Sequence, residues 1–360
     1  MPMSESRNRA KLLAHKIREM AAHIDQEINI MEVCGTHTVA LRREGIHGIL
    51  PPTINLVSGP GCPVCVTPAN YIDNALELIK DGAVIATFGD MLKVPSSTGE
   101  NLAAFMGQGK VRTVYSPFDI IRLRDEIQGP LVFLGIGFET TIPTIAATFK
   151  EVLARKLSQT YLYTAFKTVP NALRALLADK ESRVNAFLLP GHVSVVIGER
   201  AYDFLKSYKV PSVISGFKGE EMLTAIAAIL KQFNDKAPTV ENRYHQVVSR
   251  EGNPKALAVM DELLCPEDAL WRGFGLIKES GLKLRKKWAA IDAARVFGLS
   301  PLKNSEPPGC CCAQVVQGKI KPNHCPLFGR GCTPEDPVGP CMVSSEGSCA
   351  AYFKYLGVEA

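Results

Sequence analysis

Cysteine is the reactive residue type that stands out in this chain, and most of the cysteines lie near the C-terminal end. The last 51 residues hold seven of the eleven cysteines, in a Gly- and Pro-rich stretch with little helical or strand periodicity. Six are spaced apart, at Cys310, Cys312, Cys325, Cys332, Cys341 and Cys349, and Cys311 is an extra thiol. Because such a segment forms little core of its own, metal–thiolate bonds or disulfides must hold it together.

The redox environment decides between those two kinds of bond. The first eleven residues are polar and charged, which predicts no secretory signal, and no run of about 18 apolar residues predicts a membrane span. We therefore expect a cytoplasmic chain with reduced thiols, in which this cysteine density favours metal or redox chemistry. The formal charge of +5 is spread along the chain, so neither nucleic acid nor a membrane is an expected partner.

Short apolar runs alternate with helical patterns after an amphipathic opening helix at 12–24, which is typical of βαβ units. The predicted strands are 28–33, 54–58, 83–88, 112–115, 131–136, 161–166, 186–189 and 212–215, and further helices are predicted at 220–233, 240–264 and 282–296. Such apolar strands favour parallel sheets that are covered on both faces. The predicted fold is α/β, with two similar parallel-sheet domains at 1–120 and 121–218 and a mostly helical, cysteine-rich domain at 219–360.

Unusual residues follow these strands, where parallel sheets place their functional loops. The loops are 34–38 (CGTHT), 59–65 (GPGCPVC), 89–90 (GD), 137–141 (GFETT), 190–192 (PGH) and 216–218 (GFK). Two such edges that face each other would form one cleft.

Two of the loops carry thiols. Cys34 precedes a helix that Thr36 or Thr38 could cap, and the helix dipole there would favour its thiolate, a nucleophile or soft-metal ligand. Cys62 and Cys65 form a CxxC before another helix, a pattern typical of a dithiol redox pair. The alternative is a closed zinc site of Cys34, His37, Cys62 and Cys65, and the sequence leaves both open.

Three further side chains are candidates for this cleft. Asp90 and Glu139 could orient a histidine or hold a base of a partner protein, although acidic loop residues are commonly just solvated. His192 could be a ligand or a proton donor, and the alternative is ordinary packing. Cys265 receives no role.

The gaps between the six spaced tail cysteines are 2, 13, 7, 9 and 8. They match neither a zinc ribbon nor the bacterial ferredoxin run. Six thiols are two more than a [4Fe-4S] cluster uses. We therefore interpret the tail as a cluster beside a redox-active pair, with a structural zinc as the alternative.

Taken together, five motifs closely resemble the HypD family of [NiFe]-hydrogenase maturation factors. They are residues 34–38, 59–65, 135–141 (GIGFETT), 190–194 (PGHVS) and the tail from 332 to 347 with its CTP and GPCMVSSEG sequences. The resemblance runs from about residue 30 to 355. It implies two Rossmann-like domains and a third, iron–sulfur domain, arranged as in ferredoxin:thioredoxin reductase.

The resemblance also implies partners and a task. Members of the family work with the chaperone HypC and with HypE to assemble the Fe(CN)₂CO group. Cys34 would hold that iron together with a HypC cysteine, and Cys62 with Cys65 would be the central dithiol. His37, Thr36 and Thr38 would handle protons near the iron, with Glu139 and Asp90 facing them.

For the tail, the resemblance implies a ligand set and a pair. Cys310, Cys325, Cys332 and Cys349 would bind a [4Fe-4S] cluster, and Cys312 with Cys341 would form the adjacent redox pair. Cys311 lies inside the usual Cys-x-Cys of the family, so neighbouring thiols could exchange roles. Electrons would then pass from the cluster through Cys62 and Cys65 to the iron at Cys34.

Three functions from different classes fit these features. The first is a metallocentre assembly factor with redox chemistry, which is not a conventional small-molecule enzyme. The second is a cluster-dependent thiol–disulfide oxidoreductase that acts on protein substrates. The third is a zinc-stabilised binding protein.

Overall fold

A computed structural model of the chain describes residues 3–304 and 306–355. The strands are β1 (Ile28–Glu32), β2 (Ile54–Ser58), β3 (Val84–Thr87), β4 (Val111–Thr113), β5 (Leu131–Gly137), β6 (Thr160–Phe166), β7 (Ala186–Pro190), β8 (Ser212–Ser215), β9 (Val240–Asn242), β10 (Leu264–Trp271) and β11 (Gly275–Leu284). The eight predicted strands are thus confirmed to within about two residues.

The helices surround these strands. They are α1 (Met3–Ala21), α2 (Gly35–Arg43), α3 (Ile46–Ile49), α4 (Pro63–Val66), α5 (Asn70–Lys80), α6 (Asp119–Glu126), α7 (Ile142–Ala154), α8 (Val169–Ala178), α9 (Gly191–Ile197), α10 (Gly219–Asn234), α11 (Pro254–Leu263), α12 (Ala293–Val296), α13 (Cys312–Val316), α14 (Pro340–Val343) and α15 (Ser348–Tyr355). Short 3-10 helices lie at Gly89–Met91, Leu102–Phe105, Glu199–Lys206, Lys286–Ile291 and Pro322–His324. Across the described residues, no helix combines the length and apolar character that a membrane crossing requires.

Two parallel sheets form the fold, which confirms the predicted α/β class. The first sheet has the strand order β2-β1-β7-β8-β9, and the second has the order β4-β3-β5-β6. In each sheet the chain order reverses between two central strands, β1 and β7 in the first sheet and β3 and β5 in the second. In open parallel sheets, ligands bind beyond the carboxyl ends of the strands at such a reversal.

The predicted grouping of strands is wrong. β1 pairs with both β2 and β7, so residues before 60 share a sheet with residues after 185. The second sheet is inserted between these two parts, and the predicted boundary between residues 120 and 121 falls in α6, which connects β4 to β5 of that sheet. Apolar periodicity shows where a strand lies but not its partner, because hydrogen bonds between parallel strands are the same for any pair of apolar sequences.

The region after residue 219 is less helical than predicted. α10 confirms the first predicted helix there, but 240–264 contains β9 as well as α11, and 282–296 begins inside β11. β10 and β11 form an antiparallel hairpin. Its Trp271 is fully buried and donates to the Ser280 hydroxyl at 2.8 Å, so packing against the second sheet overrides the weak helical pattern.

One continuous apolar core lies between the two sheets. It contains side chains of both, such as Met31 and Phe187 from the first sheet and Val132 and Leu134 from the second. The same core includes the cysteines Cys62, Cys65, Cys312, Cys332, Cys341 and Cys349. The cysteine-rich tail therefore packs against both sheets, and it stabilises their arrangement by burying apolar surface.

Candidate functional site

Cys34 lies directly beyond the carboxyl end of β1, at the strand-order reversal of the first sheet. It is a free thiol with 8% of its surface exposed. The preceding residue, Val33, donates its backbone N–H to Leu188 of β7 at 3.2 Å. Cys34 is also the N-cap of α2, and its own side chain makes no capping hydrogen bond. The predicted capping by Thr36 or Thr38 is therefore wrong.

The CxxC loop lies directly against Cys34. Gly35 donates its backbone N–H to the Gly61 carbonyl at 3.1 Å. A Cβ on Gly61 would meet the backbone nitrogen of Cys34 at 2.5 Å, so only glycine allows this approach. Cys62 and Cys65 are joined by a disulfide, with 5.3 Å between their Cα atoms. The structure thus brings the loop that carries Cys62 and Cys65 into contact with the backbone at Cys34.

A small cavity of about 110 Å³ opens beside Cys34. Loops of both sheets line it, together with one residue of the C-terminal segment: Val33, Cys34, Thr36, Gly61, Phe138, Thr140, Pro190, His192, Val193 and Glu346. The loops after β1 and β7 form one wall, and the loop after β5 forms the other. The expected cleft between facing sheet edges is therefore present.

Glu346 belongs to this cavity, although sequence analysis did not select it. Thr36 donates its hydroxyl to Glu346 Oε1 at 2.8 Å. Burial raises the pKa of Glu346, and the nearby charge of Asp90 raises it further, while the Thr36 hydrogen bond opposes both. Its sequence context, Ser344-Ser345-Glu346-Gly347, was the available signal, but nothing in it indicated a contact with Thr36.

Asp90 positions the segment that carries Glu346. Its Oδ2 accepts from the hydroxyls of Ser344 and Ser345, each at 3.0 Å. Asp90 follows β3 of the second sheet, whereas Thr36 follows β1 of the first. The expectation that Asp90 orients a histidine is therefore wrong, and its structural partner is the C-terminal segment.

Burial controls the protonation of Cys34. It raises the pKa of the thiol to about 11, and the charge of Glu346 acts in the same direction, while hydrogen bonds from the backbones of His37 and Thr36 and from the Thr36 side chain oppose the shift. The expected thiolate at the helix N-terminus is therefore wrong for the chain alone, because desolvation outweighs the helix dipole. A bound cation at this sulfur would reverse the balance.

The two candidate histidines lie on opposite sides of Phe217. His37 stacks on this ring with 4.5 Å between ring centroids, and His192 stacks on it with 3.9 Å. His37 is fully buried, its Nε2–H donates to the Gly216 carbonyl at 2.9 Å, and burial lowers its pKa to about 4. Only His192 lines the cavity, where it is exposed at the mouth.

Glu139 lies behind the cavity wall that Phe138 and Thr140 form. Its Oε1 accepts from the backbone N–H of Val169 at 2.9 Å, and Oε2 has no partner among the described residues. Burial raises the pKa of this carboxyl to about 7. Glu139 therefore does not orient either histidine, and a proton on its carboxyl costs little at neutral pH.

The predicted tail pair is also joined. Cys312 and Cys341 form a disulfide with 6.3 Å between their Cα atoms. The Cys65 sulfur lies 3.9 Å from the carbonyl oxygen of Pro340, the residue before Cys341. The two disulfides are therefore neighbours in the same core, while their redox activity stays a prediction.

The remaining tail thiols gather around a second, apolar pocket. Cys310, Cys311, Cys325, Cys332 and Cys349 line it together with Leu327 and Phe328. Burial raises the pKa of Cys310 to about 11, and the charges of Cys332 and Cys325 add to the shift. These thiols cannot all ionise together unless a cation compensates their charge, so the group of donors suits a positively charged metal centre.

Single-ion coordination does not fit the described residues. No three His, Cys, Asp or Glu side chains within 3–304 and 306–355 are placed to hold one metal ion. The predicted zinc alternative at Cys34, His37, Cys62 and Cys65 is therefore wrong, since two of its thiols form a disulfide and His37 binds Gly216. A [4Fe-4S] cluster has a different requirement, because each thiolate binds a different iron and the sulfurs lie further apart.

The fold and these sites define an α/β protein with a thiol at the junction of two sheets and a separate cysteine cluster in its tail. The sequence model of the HypD family, described as the hydrogenase formation hypA family, matches residues 8–356. The chain belongs to the HypD family of hydrogenase maturation factors.

Similar proteins cover almost the whole chain. The hydrogenase maturation factor HypD of Escherichia coli K12 is 39% identical over 358 residues, which cover 97% of this chain and 96% of that protein. The HypD proteins of Rhodobacter capsulatus and Cupriavidus necator are each 38% identical, over 356 and 355 residues, with 94% of each relative covered. Identity at this level over the full length establishes a hydrogenase maturation factor.

The contact between Gly61 and Cys34 generates a stability prediction. We expect Gly61→Ala to lower the free energy of unfolding by about 1–3 kcal/mol, because the added methyl group overlaps the Cys34 backbone. Urea denaturation measures the change. Gly107→Ala is the matched control, since nothing lies within 4 Å of a Cβ there. Equal midpoints for the two variants would contradict the close approach.

The buried His37 generates a prediction about pH. Its pKa is about 4 in the folded chain, against 6.5 as the ordinary value, so below pH 6.5 the unfolded state binds a proton that the folded state excludes. The free energy of unfolding should decrease as the pH falls from about 6.5 to about 4, by about 3 kcal/mol from this residue. In His37→Phe this part of the decrease should be absent.

Denaturation series between pH 4 and pH 8 measure that difference. His245→Phe is the control, because His245 is exposed, and it should keep the pH dependence of the unmodified chain. An unchanged slope in His37→Phe would show that His37 is protonated in the folded state.

Proposed function

We propose that this chain is the scaffold on which the Fe(CN)₂CO group of the [NiFe] active site is assembled, together with a HypC-type chaperone and a HypE-type cyanide donor. The observation that carries the proposal is Cys34, a free thiol in a small cavity where both sheets meet beside a CxxC disulfide. Iron with cyanide and carbonyl ligands is soft, and thiolate is the ligand that suits it.

Cys34 binds the iron, which is the cargo of the assembly reaction. The thiol of Cys34 loses its proton when the metal binds to the sulfur. Since burial keeps this thiol protonated, iron binding must release a proton inside the cavity. Glu346 lines the same cavity, and burial raises its pKa, which makes its carboxylate a better proton acceptor. We assign Glu346 the role of receiving the proton, with Thr36 holding the carboxyl in position through its hydrogen bond.

Cys62 and Cys65 supply the electrons for releasing cyanide from a sulfur carrier. In the dithiol state, one thiolate attacks the sulfur of the carrier's S–CN group, the S–C bond breaks, and cyanide leaves with the bonding electron pair. The second thiolate then displaces the carrier's thiolate, forming the Cys62–Cys65 disulfide. Two electrons pass to the carrier, and the oxidised product is the disulfide seen in the structure.

The tail supplies a site for a [4Fe-4S] cluster. Cys310, Cys325, Cys332 and Cys349 would hold it, within the apolar pocket that they line. Such a cluster, when bound, exchanges single electrons. Cys312 and Cys341 also line this pocket, and the Cys65 sulfur lies 3.9 Å from the carbonyl of Pro340, the residue before Cys341, which supports thiol–disulfide exchange between the two pairs. His192, exposed at the cavity mouth, marks the side from which a partner protein approaches.

The alternative function, a thiol–disulfide oxidoreductase that acts on proteins, has support in the two adjacent disulfides. However, Cys62 is 4% exposed, Cys65 1%, Cys312 2% and Cys341 1%. The attacked sulfur must reach the attacking sulfur, and a cavity of about 110 Å³ beside the CxxC loop admits a terminal S–CN group more readily than a disulfide held within a folded protein. We therefore favour chemistry on a small group that enters the cavity.

The cluster assignment predicts the metal content of the anaerobically purified protein. We expect about four irons and four acid-labile sulfides per chain, and near-complete loss of both in Cys332→Ser, because one of the four proposed ligands is gone. Iron, sulfide and zinc analysis with a visible spectrum measures this. Cys265→Ser is the control. Stoichiometric zinc without sulfide in the unmodified protein would overturn the assignment.

The scaffold assignment predicts the infrared spectrum of protein co-purified with its chaperone. Cyanide and carbonyl stretches should be present in the unmodified protein, absent in Cys34→Ala and strongly reduced in Cys62→Ala, because the first variant loses the iron ligand and the second the electron donor. Cys265→Ala should retain the bands. Normal band intensity in Cys62→Ala would contradict the electron transfer from the CxxC pair, and absence of bands in the unmodified protein would favour the oxidoreductase.

A further inference from the structure

The hairpin of β10 and β11 contacts the CxxC loop through its tip, residues 271–275. Arg272 donates its backbone N–H to the Val66 carbonyl at 2.7 Å, and its guanidinium Nη2 donates to the Thr67 carbonyl at 3.1 Å. Val66 is the last residue of α4, and Thr67 follows it. Because the last carbonyls of a helix have no partners within the helix, Arg272 satisfies two acceptors at the end of the helix that contains Cys65.

The same tip contacts the helix that contains Cys312. The side-chain amide of Gln317, the residue after α13, donates to the Gly273 carbonyl. Gly273 has a φ of +83°, and a Cβ there would lie 2.9 Å from the carbonyl oxygen of Ala313 in α13. Only glycine allows both this backbone conformation and this approach. Two adjacent residues of the tip, Arg272 and Gly273, therefore connect the helices of the two cysteine pairs.

Arg272 also connects the tip to the start of the cysteine-rich tail. Its side chain is 1% exposed, and Nη1 forms an ion pair with Glu306 Oε2 at 3.0 Å, four residues before Cys310. Burial of a guanidinium costs desolvation free energy, which an apolar side chain of similar volume would avoid. What the arginine adds is therefore a directed set of hydrogen bonds to the end of α4 and to the tail.

The tip itself is fixed to the second sheet. Trp271 is fully buried and stacks on Phe138, the residue after β5, with 5.9 Å between the ring centroids. Its indole N–H donates to Ser280 on the opposite strand of the hairpin. Since close-packed side chains leave little freedom of movement, the hairpin tip is a rigid support for the segments that Arg272 contacts.

We infer that Arg272 is a positioning residue for electron transfer from the Cys312–Cys341 pair to the Cys62–Cys65 pair. The inference rests on the proposed function, in which the tail pair reduces the CxxC pair. The Cys341 thiolate attacks the Cys65 sulfur, the Cys62–Cys65 bond breaks, and Cys62 leaves as a thiolate. Cys312 then displaces Cys65 from Cys341. Two electrons thus reach the CxxC pair, and the tail pair becomes the disulfide.

This attack requires that α4 be held with Cys65 against Cys341. The Cys65 sulfur lies 3.9 Å from the carbonyl oxygen of the residue before Cys341. However, α4 has only four residues, so it makes few hydrogen bonds of its own and its position depends on contacts from outside. Arg272 supplies such contacts at the end of α4, on the side where Cys65 meets the tail.

The mixed disulfide of this exchange can be trapped. Cys62→Ser combined with Cys312→Ser leaves Cys65 and Cys341 without their own partners. We expect this full-length double variant, equilibrated anaerobically in glutathione redox buffers, to form the Cys65–Cys341 disulfide, which tandem mass spectrometry of the linked peptides measures. Adding Arg272→Met should lower the effective concentration of the two thiols about tenfold or more, because charge-assisted hydrogen bonds that hold α4 are lost. Arg272→Lys, which keeps the charge, should restore part of it.

Two controls separate positioning from general stability. Arg285→Met is the matched variant, because Arg285 donates to the Asp261 carbonyl at 2.6 Å at the other end of the hairpin, and it should leave the effective concentration unchanged. In a chain with all its cysteines, Arg272→Met should still form the Cys312–Cys341 disulfide, whose residues are 29 apart in sequence. A merely structural role would lower the formation of both disulfides.

The outcomes separate this inference from the proposed function. An unchanged effective concentration in Arg272→Met, or an equal loss of both disulfides, overturns the positioning role and leaves the exchange itself intact. If Arg272→Met does not fold, Glu306→Ala decides, since the Glu306 side chain is 33% exposed, and it should lower the effective concentration about threefold; no decrease overturns the inference. Absence of the Cys65–Cys341 disulfide in the double variant overturns the exchange between the pairs and the inference with it.

Discussion

The pairing of β1 with β7 is the interaction on which the rest of the structure depends. It joins Ile30 to Ala186 and Glu32 to Leu188 in a parallel ladder, across more than 150 residues of intervening chain. This pairing creates the strand-order reversal beside which Cys34 and His192 meet. It also returns the chain to the first sheet after the second sheet is complete, so the two sheets are connected twice and enclose a common core.

The C-terminal segment then fixes the edges of both sheets relative to each other. Asp90 of the second sheet holds Ser344 and Ser345, and Thr36 of the first sheet holds Glu346. Farther along, Tyr352 stacks under Arg42. A segment with little core of its own is therefore ordered by polar contacts to two sheets and by the shared apolar core. The same segment contributes to the small cavity beside Cys34 and to the apolar pocket that the tail cysteines line, so their relative positions depend on it.

Desolvation is the common physical feature of these sites. Burial raises the pKa values of Cys34, Cys310 and Glu139 and lowers that of His37, so the chain alone favours the neutral forms of Cys34, Cys310 and His37 and brings Glu139 close to half protonation at neutral pH. Neutral thiols in a low-dielectric core are stable but poor ligands, and a soft cation changes this by favouring the thiolate. The charge of such a site therefore changes when a soft metal binds, which suits the proposed uptake and later release of an iron group.

The sequence by itself determined the positions of β1 to β8, the α/β class and which residues follow these strands, because apolar periodicity and turn residues are local properties. It also indicated the Cys62–Cys65 pair through the CxxC spacing and the Cys312–Cys341 pair through the family resemblance. It did not determine that β1 joins β7, that Glu346 contacts Thr36 or that His37 turns away from the cavity. Strand partners, desolvation and contacts across hundreds of residues arise only when distant segments pack, and no local pattern encodes them. The tertiary structure alone therefore decided which of the predicted side chains share a site and in which protonation state they are held.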